Sequence, residues 1–424
     1  MHAPKTPTST PASTVRRREF LQGSLAAGLF AGLPKGWAGG SYASDEPEQK
    51  EVRIGFIAVQ SCASIVVAHE KGYFRKHGLT SSLSKETNWA VVRDKLVSGE
   101  NQGTHMKLAQ PIGASVGVLG AQKTPLIAPF TLSRNGSIFL VAKQLAGKLT
   151  NDPKTWKLAA DGMRTTDEPF TLALPLPFGW HGLMYRHFLA NGGIHADKDL
   201  KVITLPPAQM IQNMRVGTMH ACALVEPWGV RGVAEKVCVI AMYGHELWLD
   251  HPVKTFGMTA KFADENPKTA KAMLRALHEA AAWCDDFANR EEIAKLIATP
   301  TYLNSPVTSI LPGMLGEFDW GDGRKAIEPR NAIVYNRDNY PQPREIKWFV
   351  SQFRRWGMFE GEPNYDEIVK QVARADLYEE AMKELGVTPH ARNDGPIKFW
   401  DGTVFEHAKA AEFAKSFPIH NLKG

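Results

Sequence analysis

Apolar and polar positions after residue 50 follow two different periods. Residues 51–58 alternate and are rich in β-branched side chains, which is typical of a strand. Residues 61–71 carry apolar side chains at helical spacing, and Gly72 follows where a helix commonly ends. After a second strand comes a helical pattern with a capping residue at Asn88 or Thr87. Strands and helices that alternate every dozen or so residues predict an α/β fold with a parallel-type sheet.

The same alternation returns further along the chain, which predicts a second lobe. The 424 residues also exceed what one hydrophobic core usually needs. Strands are expected at 126–132 and 137–142, and a more polar stretch after the second one indicates a crossing to the second lobe. A long amphipathic helix expected at 267–289 returns the chain to the first lobe, so a cleft lies between the two. The predicted division is 1–43 for a signal segment, 44–149 and 253–343 for lobe 1, 150–252 for lobe 2, and 344–424 for a C-terminal extension.

The C-terminal extension is predicted to be helical. Helical patterns cover 344–356 and 365–385, and a tail punctuated by Pro and Gly follows them. The first of these helices carries an apolar stripe that consists of Trp348, Phe349, Phe353 and Trp356. A stripe of this kind normally packs in a core, so we assign it no part in ligand binding.

Residues 171–193 are predicted to form a strand, a tight corner and a helix. The apolar run ends at Pro175 and Pro177, and the corner Gly179-Trp180-His181-Gly182 leads into the helix. This order places unpaired backbone N–H groups and the imidazole of His181 at a helix N-terminus, where a small oxyanion is favoured. The alternative is a βα turn in which His181 only caps the helix and packs.

The first 43 residues have the order of an export signal. A basic group is followed by a weakly apolar segment rich in Gly and Ala and then by small residues. Arg17-Arg18-Glu19-Phe20-Leu21 resembles the twin-arginine signature of exported proteins, and the alternative is a disordered basic tail. This segment carries +4 of the formal charge of +6. The high isoelectric point therefore gives no reason to expect a nucleic-acid partner.

The four cysteines form no recognisable site. None is spaced like a metal ligand, and none directly follows the apolar segment, where a lipid anchor would need it. The sequence leaves open whether any of them pair. Cys62 and Cys284 lie in helical patterns and are expected to be buried thiols. No run of about 18 apolar residues occurs, so no membrane-spanning segment is expected in the exported form.

Several segments, in order and at compatible spacing from about residue 52 to about residue 360, together resemble one family. They are Ile54–Ile57, His69–Leu79, Ser84–Leu96, Gly179–His181, Pro206–Met210, Val216–Met219, Glu226–Trp228, Glu246–Trp248, His251–Lys254, Trp283–Asp286 and Gly316–Arg324. The family is that of the substrate-binding proteins of nitrate/nitrite and bicarbonate ABC transporters. The resemblance implies a two-lobed periplasmic-binding-protein fold of type II, which closes about a hinge on a ligand in the inter-lobe cleft.

The resemblance also implies which residues hold the ligand. Trp89 would pack on a flat anion from the first lobe, His181 would donate a hydrogen bond from the second, and Lys254 would supply the balancing charge. The backbone at Val225 would add a contact, with a second layer behind it formed by Gly182, Glu226 and Trp228. A trigonal oxyanion presents acceptors at its rim and a π face, so a cation, N–H donors and an aromatic wall suit it.

Two positions bear on which anion would bind. Relatives carry an amide side chain near position 137, where this chain has Ser137, which can still donate a hydrogen bond. In the family a cation at the position of Lys254 goes with nitrate or nitrite, whereas bicarbonate binders have an acidic residue there and recruit a metal ion. The resemblance therefore implies a monoanion such as nitrate or nitrite, with no metal and no cofactor.

The implied role is that of the solute-binding component of an ABC importer. Its partners would be the permease and ATPase subunits, and we expect a freely diffusing, soluble and monomeric protein in the periplasm. The alternatives are a binder of cyanate, bicarbonate or a sulfonate, a ligand-sensing receptor, and an enzyme on the same fold.

An enzyme would need a reactive pair of side chains. His181 with Glu226 could act as a general base, and Cys222 with His220 as a nucleophile couple. The second pair lacks a third orienting group, and no Gly-x-Ser-x-Gly, Walker or metal signature occurs. We therefore expect no enzyme. Outside the matched context, Trp89 would be assigned to the core and Lys254 to a solvated loop.

Overall fold

The computed structural model describes residues 46–163 and 168–422, and the expected signal segment at 1–43 lies outside them. Its strands are β1 (Glu51–Phe56), β2 (Thr80–Lys85), β3 (Gly103–Met106), β4 (Leu126–Arg134), β5 (Ser137–Ala142), β6 (Thr171–Leu174), β7 (Lys201–Thr204), β8 (Ala221–Val225), β9 (Cys238–Tyr243), β10 (Pro252–Thr259), β11 (Glu317–Asp319), β12 (Lys325–Ile327), β13 (Ile397–Lys398) and β14 (Val404–Phe405).

The α-helices are α1 (Ala63–Glu70), α2 (Tyr73–Lys76), α3 (Trp89–Val97), α4 (Ala109–Val116), α5 (Pro153–Met163), α6 (Trp180–Asn191), α7 (Ala196–Asp199), α8 (Pro207–Arg215), α9 (Trp228–Ala234), α10 (Gly244–Leu247), α11 (Ala260–Glu265), α12 (Pro267–Asp285), α13 (Arg290–Ile297), α14 (Val307–Leu315), α15 (Pro343–Arg355), α16 (Tyr365–Ala373), α17 (Ala375–Leu385) and α18 (Ala410–Lys415). Within the described residues, none of these helices combines the length and the apolar character needed to cross a bilayer.

The first sheet has the strand order β2-β1-β3-β10-β4. β1 is parallel to β2 and β3, as the alternating pattern predicts, whereas β10 is antiparallel to both β3 and β4. The sheet is therefore mixed and not of the parallel type. Val66 of α1 and Leu277 of α12 lie in one apolar cluster with Ile54 of β1, so both helices cover this sheet.

The second sheet has the order β7-β6-β8-β5-β9. β6 is parallel to β7 and β8, and β5 is antiparallel to β8 and β9. The expected division between residues 149 and 150 put β5 in the first lobe, but the strand pairs in the second sheet. The chain crosses already between β4 and β5, over two residues. So short a link gives no change of composition that would distinguish it from a hairpin turn within one sheet.

The chain passes between the two sheets twice, and the two crossing segments are hydrogen-bonded to each other. At the first, Asn135 (φ 62°) and Gly136 (φ 79°) have a left-handed backbone, which glycine adopts without strain. The second crossing lies at Asp250 and His251. The Asn135 N–H donates to the His251 carbonyl (3.1 Å), and the Asp250 N–H donates to Asn135 Oδ1 (2.9 Å). The crossings thus form one hydrogen-bonded unit at the place where a hinge is expected.

The C-terminal segment packs on both halves of the protein. The apolar stripe of α15 is buried, as the sequence predicts. Trp348 of this stripe shares one apolar cluster with Leu108, next to the first sheet, and with Tyr185, on the second-sheet side. Tyr378 of α17 lies instead in the cluster that covers the first sheet. The segment is therefore part of the core of the described protein.

Two elements differ from the sequence expectation. The helix expected at 365–385 is divided into α16 and α17, because Arg374 has a left-handed backbone (φ 43°) that no α-helix accommodates. The strand β10 was not predicted. Its residues are buried from Pro252 to Met258 on both faces of the sheet, so its sequence has no alternation of apolar and polar positions.

All four cysteines are buried as free thiols. The expectation for Cys62 and Cys284 is confirmed, and Cys222 and Cys238 are buried as well. Burial raises the pKa of Cys62 and of Cys238 to about 12, so both remain protonated at neutral pH.

Candidate anion-binding site

Trp89 is the first residue of α3 and lies inside the protein. The Asn88 side chain caps the helix by accepting the N–H groups of Ala90 (2.9 Å) and Val91 (3.0 Å). Gln110 Nε2 donates to the Trp89 carbonyl (2.7 Å). Trp89 is 3% exposed, and its Nε1–H has no hydrogen-bond partner among the described residues. The cap and the amide therefore hold the backbone of an aromatic side chain that keeps a free donor.

Lys254 lies on β10, where the ladder is irregular. It pairs with Ser133 of β4, and register shifts on both sides mark a bulge, a feature that re-aims side chains. Its Nζ lies 5.3 Å from the centroid of the Trp89 ring and is buried. In the part of the chain that the structure describes, this Nζ has no hydrogen-bond partner. A buried unpaired ammonium group is costly, and an anionic ligand is the kind of group that compensates it.

His181 is the second residue of α6, at the corner that the sequence predicts. Its Nδ1 lies 3.1 Å from Lys107 Nζ and its Nε2 lies 3.1 Å from the Leu224 carbonyl, so Nε2–H donates and Nδ1 accepts. A Cβ on Gly182 would come within 2.1 Å of the Pro177 carbonyl, which explains why glycine follows the histidine. The N–H that His181 was expected to donate to a ligand is therefore donated to the Leu224 carbonyl in this structure.

Lys107 is a site residue that sequence reasoning missed. It follows β3, is buried, and has its Nζ 5.0 Å from the Trp89 ring centroid as well as beside His181. A single lysine after a short strand carries no motif. The available signal was its position at the carboxyl end of a strand of an α/β sheet, where ligands of such sheets bind.

Ser137 and Val225 face each other across the ladder of β5 and β8. Ser137 Oγ is buried without a hydrogen-bond partner among the described residues, and so is Ser133 Oγ, beside Lys254. His251 directs its Nδ1 to the Trp248 carbonyl (2.9 Å), and its Nε2 is also without a described partner. Both sheets thus contribute polar side chains with unused hydrogen-bonding capacity to this region.

A groove of about 650 Å³ adjoins the outer edge of Trp89. It is lined by α3, by residues between Gly113 and Thr124, and by Leu176 and Phe178 of the segment that leads to α6. Both halves of the protein therefore border the surface next to the indole.

The structure brings Trp89, His181 and Lys254 together, with Lys107 between the histidine and the indole. A model of the NMT1-like family matches residues 45–298. This chain belongs to the NMT1-like family. The nitrate/nitrite binding protein NrtA of Synechococcus elongatus is 34% identical to it over 387 residues, which cover 88% of this chain and 86% of NrtA.

The crystal structure of the periplasmic nitrate-binding protein NrtA from Synechocystis matches this NMT1-like protein with a TM-score of 0.84 and 31% identity. The match covers 88% of this chain and all of that one, which confirms the expected two-lobed periplasmic-binding-protein fold. The nitrate import ATP-binding protein NrtC of Synechocystis is 32% identical over 378 residues, but the chain spans only 56% of its length.

The basic groups around Trp89 in this NMT1-like protein have lowered pKa values. Burial lowers the pKa of Lys107 to about 7. Burial also lowers the pKa of Lys254 well below its ordinary value, and the neighbouring Lys107 lowers it further. The pKa values of His181 and His105 are lowered well below normal by burial first and then by the two lysines. A bound anion would oppose all of these shifts, because an opposite charge favours the protonated form.

Glu226 and Trp228 connect the two halves. The Gln60 N–H donates to the Glu226 carbonyl (2.9 Å), and Trp228 Nε1 donates to the Ala58 carbonyl (3.3 Å). The Glu226 carboxyl group accepts the Val230 N–H (3.0 Å), and its burial raises its pKa to about 7. The Glu226 carbonyl and the Trp228 indole therefore join the two halves, whereas the Glu226 carboxyl group contacts its own half.

The two reactive pairs considered for an enzyme are not formed. Both ring nitrogens of His181 have partners other than Glu226. His220 accepts the Thr171 N–H (2.9 Å) through Nδ1, and burial holds the pKa of the Cys222 thiol well above its ordinary value. This NMT1-like protein thus offers neither an activated thiolate nor a paired general base at these positions.

Proposed function

We propose that this protein is the periplasmic solute-binding component of an ABC importer and that it captures nitrate or nitrite between its two lobes. The observation that carries the proposal is the meeting of Trp89, Lys254 and His181. They come from α3, β10 and α6 and surround a buried region with basic and unpaired donor groups. The names of the NrtA relatives support an inorganic anion as the cargo.

The anion would lie on the face of Trp89, within reach of Lys254 Nζ. Ser137 Oγ and the backbone at Val225 would approach it from the second sheet. His181 can add a hydrogen bond if its ring gives up the Leu224 carbonyl, since that carbonyl takes its N–H in the structure. A planar anion is suited to this arrangement because it offers a face to the indole and acceptor oxygens to the surrounding donors.

The charge of the site favours a monovalent oxyanion over bicarbonate held with a metal ion. Two lysine amino groups lie over Trp89, and a metal site would need carboxylate or other oxygen ligands instead. In the described residues, no group of three or more His, Cys, Asp or Glu side chains is arranged to hold a metal ion.

The transport role extends to partners and location. The protein would be exported by the twin-arginine route, diffuse as a monomer without a lipid anchor, and deliver its anion to permease and ATPase subunits. It would bind its ligand without converting it, since the side chains around Trp89 offer charge and hydrogen bonds but no activated nucleophile.

Titration calorimetry of the purified protein against nitrate, nitrite, cyanate, bicarbonate and methanesulfonate tests the proposal. Nitrate or nitrite should bind most tightly. Lys254→Ala and His181→Ala should each weaken that binding about 30-fold or more, as expected when one partner of a buried charged contact is removed.

A lysine outside the site provides the control. Lys261→Ala removes an exposed lysine of α11 and should leave the affinity unchanged. Lys261→Ala should also leave the melting temperature of the ligand-free protein unchanged, and a cooperative melting transition shows that Lys254→Ala and His181→Ala fold. If Lys254→Ala and His181→Ala bind like the parent, the site is misplaced, and if no anion of the panel binds, the transport proposal is wrong.

A further inference from the structure

Two lysines share the candidate site without an acidic partner. Lys107 Nζ and Lys254 Nζ lie 5.0 Å and 5.3 Å from the centroid of the same Trp89 ring. Neither of them pairs with a carboxylate in the described parts of the chain. Two buried like charges without a counter-ion repel each other, so protonating one amine disfavours protonating the other.

Among the described residues, the titratable groups that face Lys107 are all basic. They are His181 on α6, Lys254 on β10 and His105, two residues before it on β3. The charged residues of α3 do not alter this balance, because Arg93 and Asp94 pair with each other at the surface. The Cys62 thiol interacts with Lys254, but burial raises its pKa to about 12, so it stays uncharged. The described part of the site therefore has no group that could neutralise a second ammonium charge.

An incoming proton has a favourable place only on the lysine pair. The Nε2–H of His181 donates to Leu224, so its Nδ1 faces Lys107 as an acceptor. His105 places Nε2 3.1 Å from Ser61 Oγ and stays an uncharged hydrogen-bonding group. An amine is also a stronger base than an imidazole by about 4 pH units in water.

We propose that Lys107 is a second cation of the anion site and that binding of a monoanion draws one proton from solvent onto the pair Lys107 and Lys254. The inference rests on the proposed function, because it requires an anion next to Trp89. The proton forms an N–H bond with the lone pair of a neutral amine, and no other bond forms or breaks. One anion and one proton thus enter the site together, and its net charge does not change.

The lowered pKa values support proton uptake, and not proton release, when the anion binds. Burial holds the pKa of Lys107 at about 7, and burial together with Lys107 lowers that of Lys254. In the complex the anion raises both pKa values. Above about pH 7, binding must therefore supply the missing proton, and the affinity should fall about tenfold for each pH unit per proton taken up.

Calorimetric titration with nitrate, whose own charge is constant, measures the proton directly. The titrations are run at about pH 7.5 in Tris and in triethanolamine, two buffers that are not oxyanions and differ in ionisation enthalpy. The change of binding enthalpy with buffer ionisation enthalpy gives the number of protons taken up. About one proton is expected for the parent protein, with an affinity that falls about tenfold between pH 7.5 and pH 8.5.

Lys107→Met leaves Lys254 as the amine beside Trp89 and should bind nitrate with less proton uptake than the parent and a shallower pH dependence. Some uptake remains because burial lowers the pKa of Lys254 as well. Lys107→Gln serves the same purpose if the Met variant does not fold, and His181→Gln should retain the uptake in whatever binding remains. Nitrate binding by the parent without proton uptake overturns the inference alone, as does an uptake in both Lys107 variants that equals that of the parent. No binding of nitrate or nitrite by the parent overturns the proposed function and the inference together.

Discussion

Lys254 is an unusual residue to find inside a protein, because its amino group lies near an indole and shares that indole with a second lysine. Exposed lysines keep their charge in water, whereas this one is buried and has no hydrogen-bond partner among the described residues. Its position on a bulge of β10 directs it to Trp89. We infer that Lys254 serves ligand binding and that its buried amino group destabilises the ligand-free protein.

Replacing Lys254 by Met should therefore stabilise the ligand-free protein while it removes anion binding. Methionine has a similar volume and no polar group, and a buried polar group without a hydrogen bond costs about 1–3 kcal/mol of stability. Urea denaturation at neutral pH without added oxyanions measures the change in the free energy of unfolding.

The control for this substitution is Lys261→Met on α11, whose side chain is 79% exposed. Its effect should stay within about 0.5 kcal/mol. A Lys254→Met protein that is destabilised by more than about 1 kcal/mol would mean that the ammonium group supports the fold.

At the scale of single residues, the sequence identified members of the candidate site only where they belong to a motif. The family resemblance led to Trp89, His181 and Lys254, and the structure brings these three together, although their contacts with an anion remain a prediction. Lys107 was missed because a lone lysine after a short strand is ordinarily solvated. The direction of the His181 N–H also depends on Leu224, which is distant in sequence and has no polar side chain.

At the scale of elements, α3 shows how a cap determines a binding surface. Trp89 is its first residue, so the direction of the indole depends on how the helix begins. The Asn88 side chain accepts two N–H groups of the first turn, which the backbone alone would leave unpaired.

Asn88→Ala should cost about 1 kcal/mol of unfolding free energy, the usual value for a lost N-cap, and should also weaken anion binding. Asn88→Asp keeps an acceptor oxygen at the cap and should retain most of the stability. Chemical denaturation and calorimetry of both variants test this, and equal losses for the two would show that the amide group has another role.

The elements that the sequence predicts correctly are those with a clear period, such as β1, α1 and α12. Three features escaped for separate physical reasons. β10 is buried on both faces and lacks alternation. β5 follows β4 after two residues and yet pairs in the other sheet. α16 and α17 share one apolar period across Arg374, whose backbone interrupts the helix.

At the scale of the whole molecule, the C-terminal segment joins the cores of both halves. Trp348 on α15 is fully buried, and its ring centroid lies 5.0 Å from that of Trp248 and 5.1 Å from that of Phe349. Residues from both sides of the chain crossings contribute to this cluster. The segment therefore limits how far the halves can separate while the core stays packed.

Trp348→Ala should destabilise the protein by about 3–5 kcal/mol, since it removes a large side chain from a packed core. Leu158→Ala on α5 is the matched control, because Leu158 is 77% exposed and its loss should change stability by less than about 0.5 kcal/mol. Urea denaturation of both variants gives the comparison. A loss below about 1 kcal/mol for Trp348→Ala would mean that the segment is only loosely attached.

Because the natural cysteines are buried, movement of the two lobes can be measured with dyes attached to introduced cysteines. Because Cys62, Cys222, Cys238 and Cys284 are enclosed and protonated, they should not react with maleimide dyes in the native state. A cysteine pair introduced at exposed positions, such as Leu158 and Val97, would then be labelled selectively. Energy transfer between the two dyes would report opening and closing of the cleft without removal of any natural cysteine.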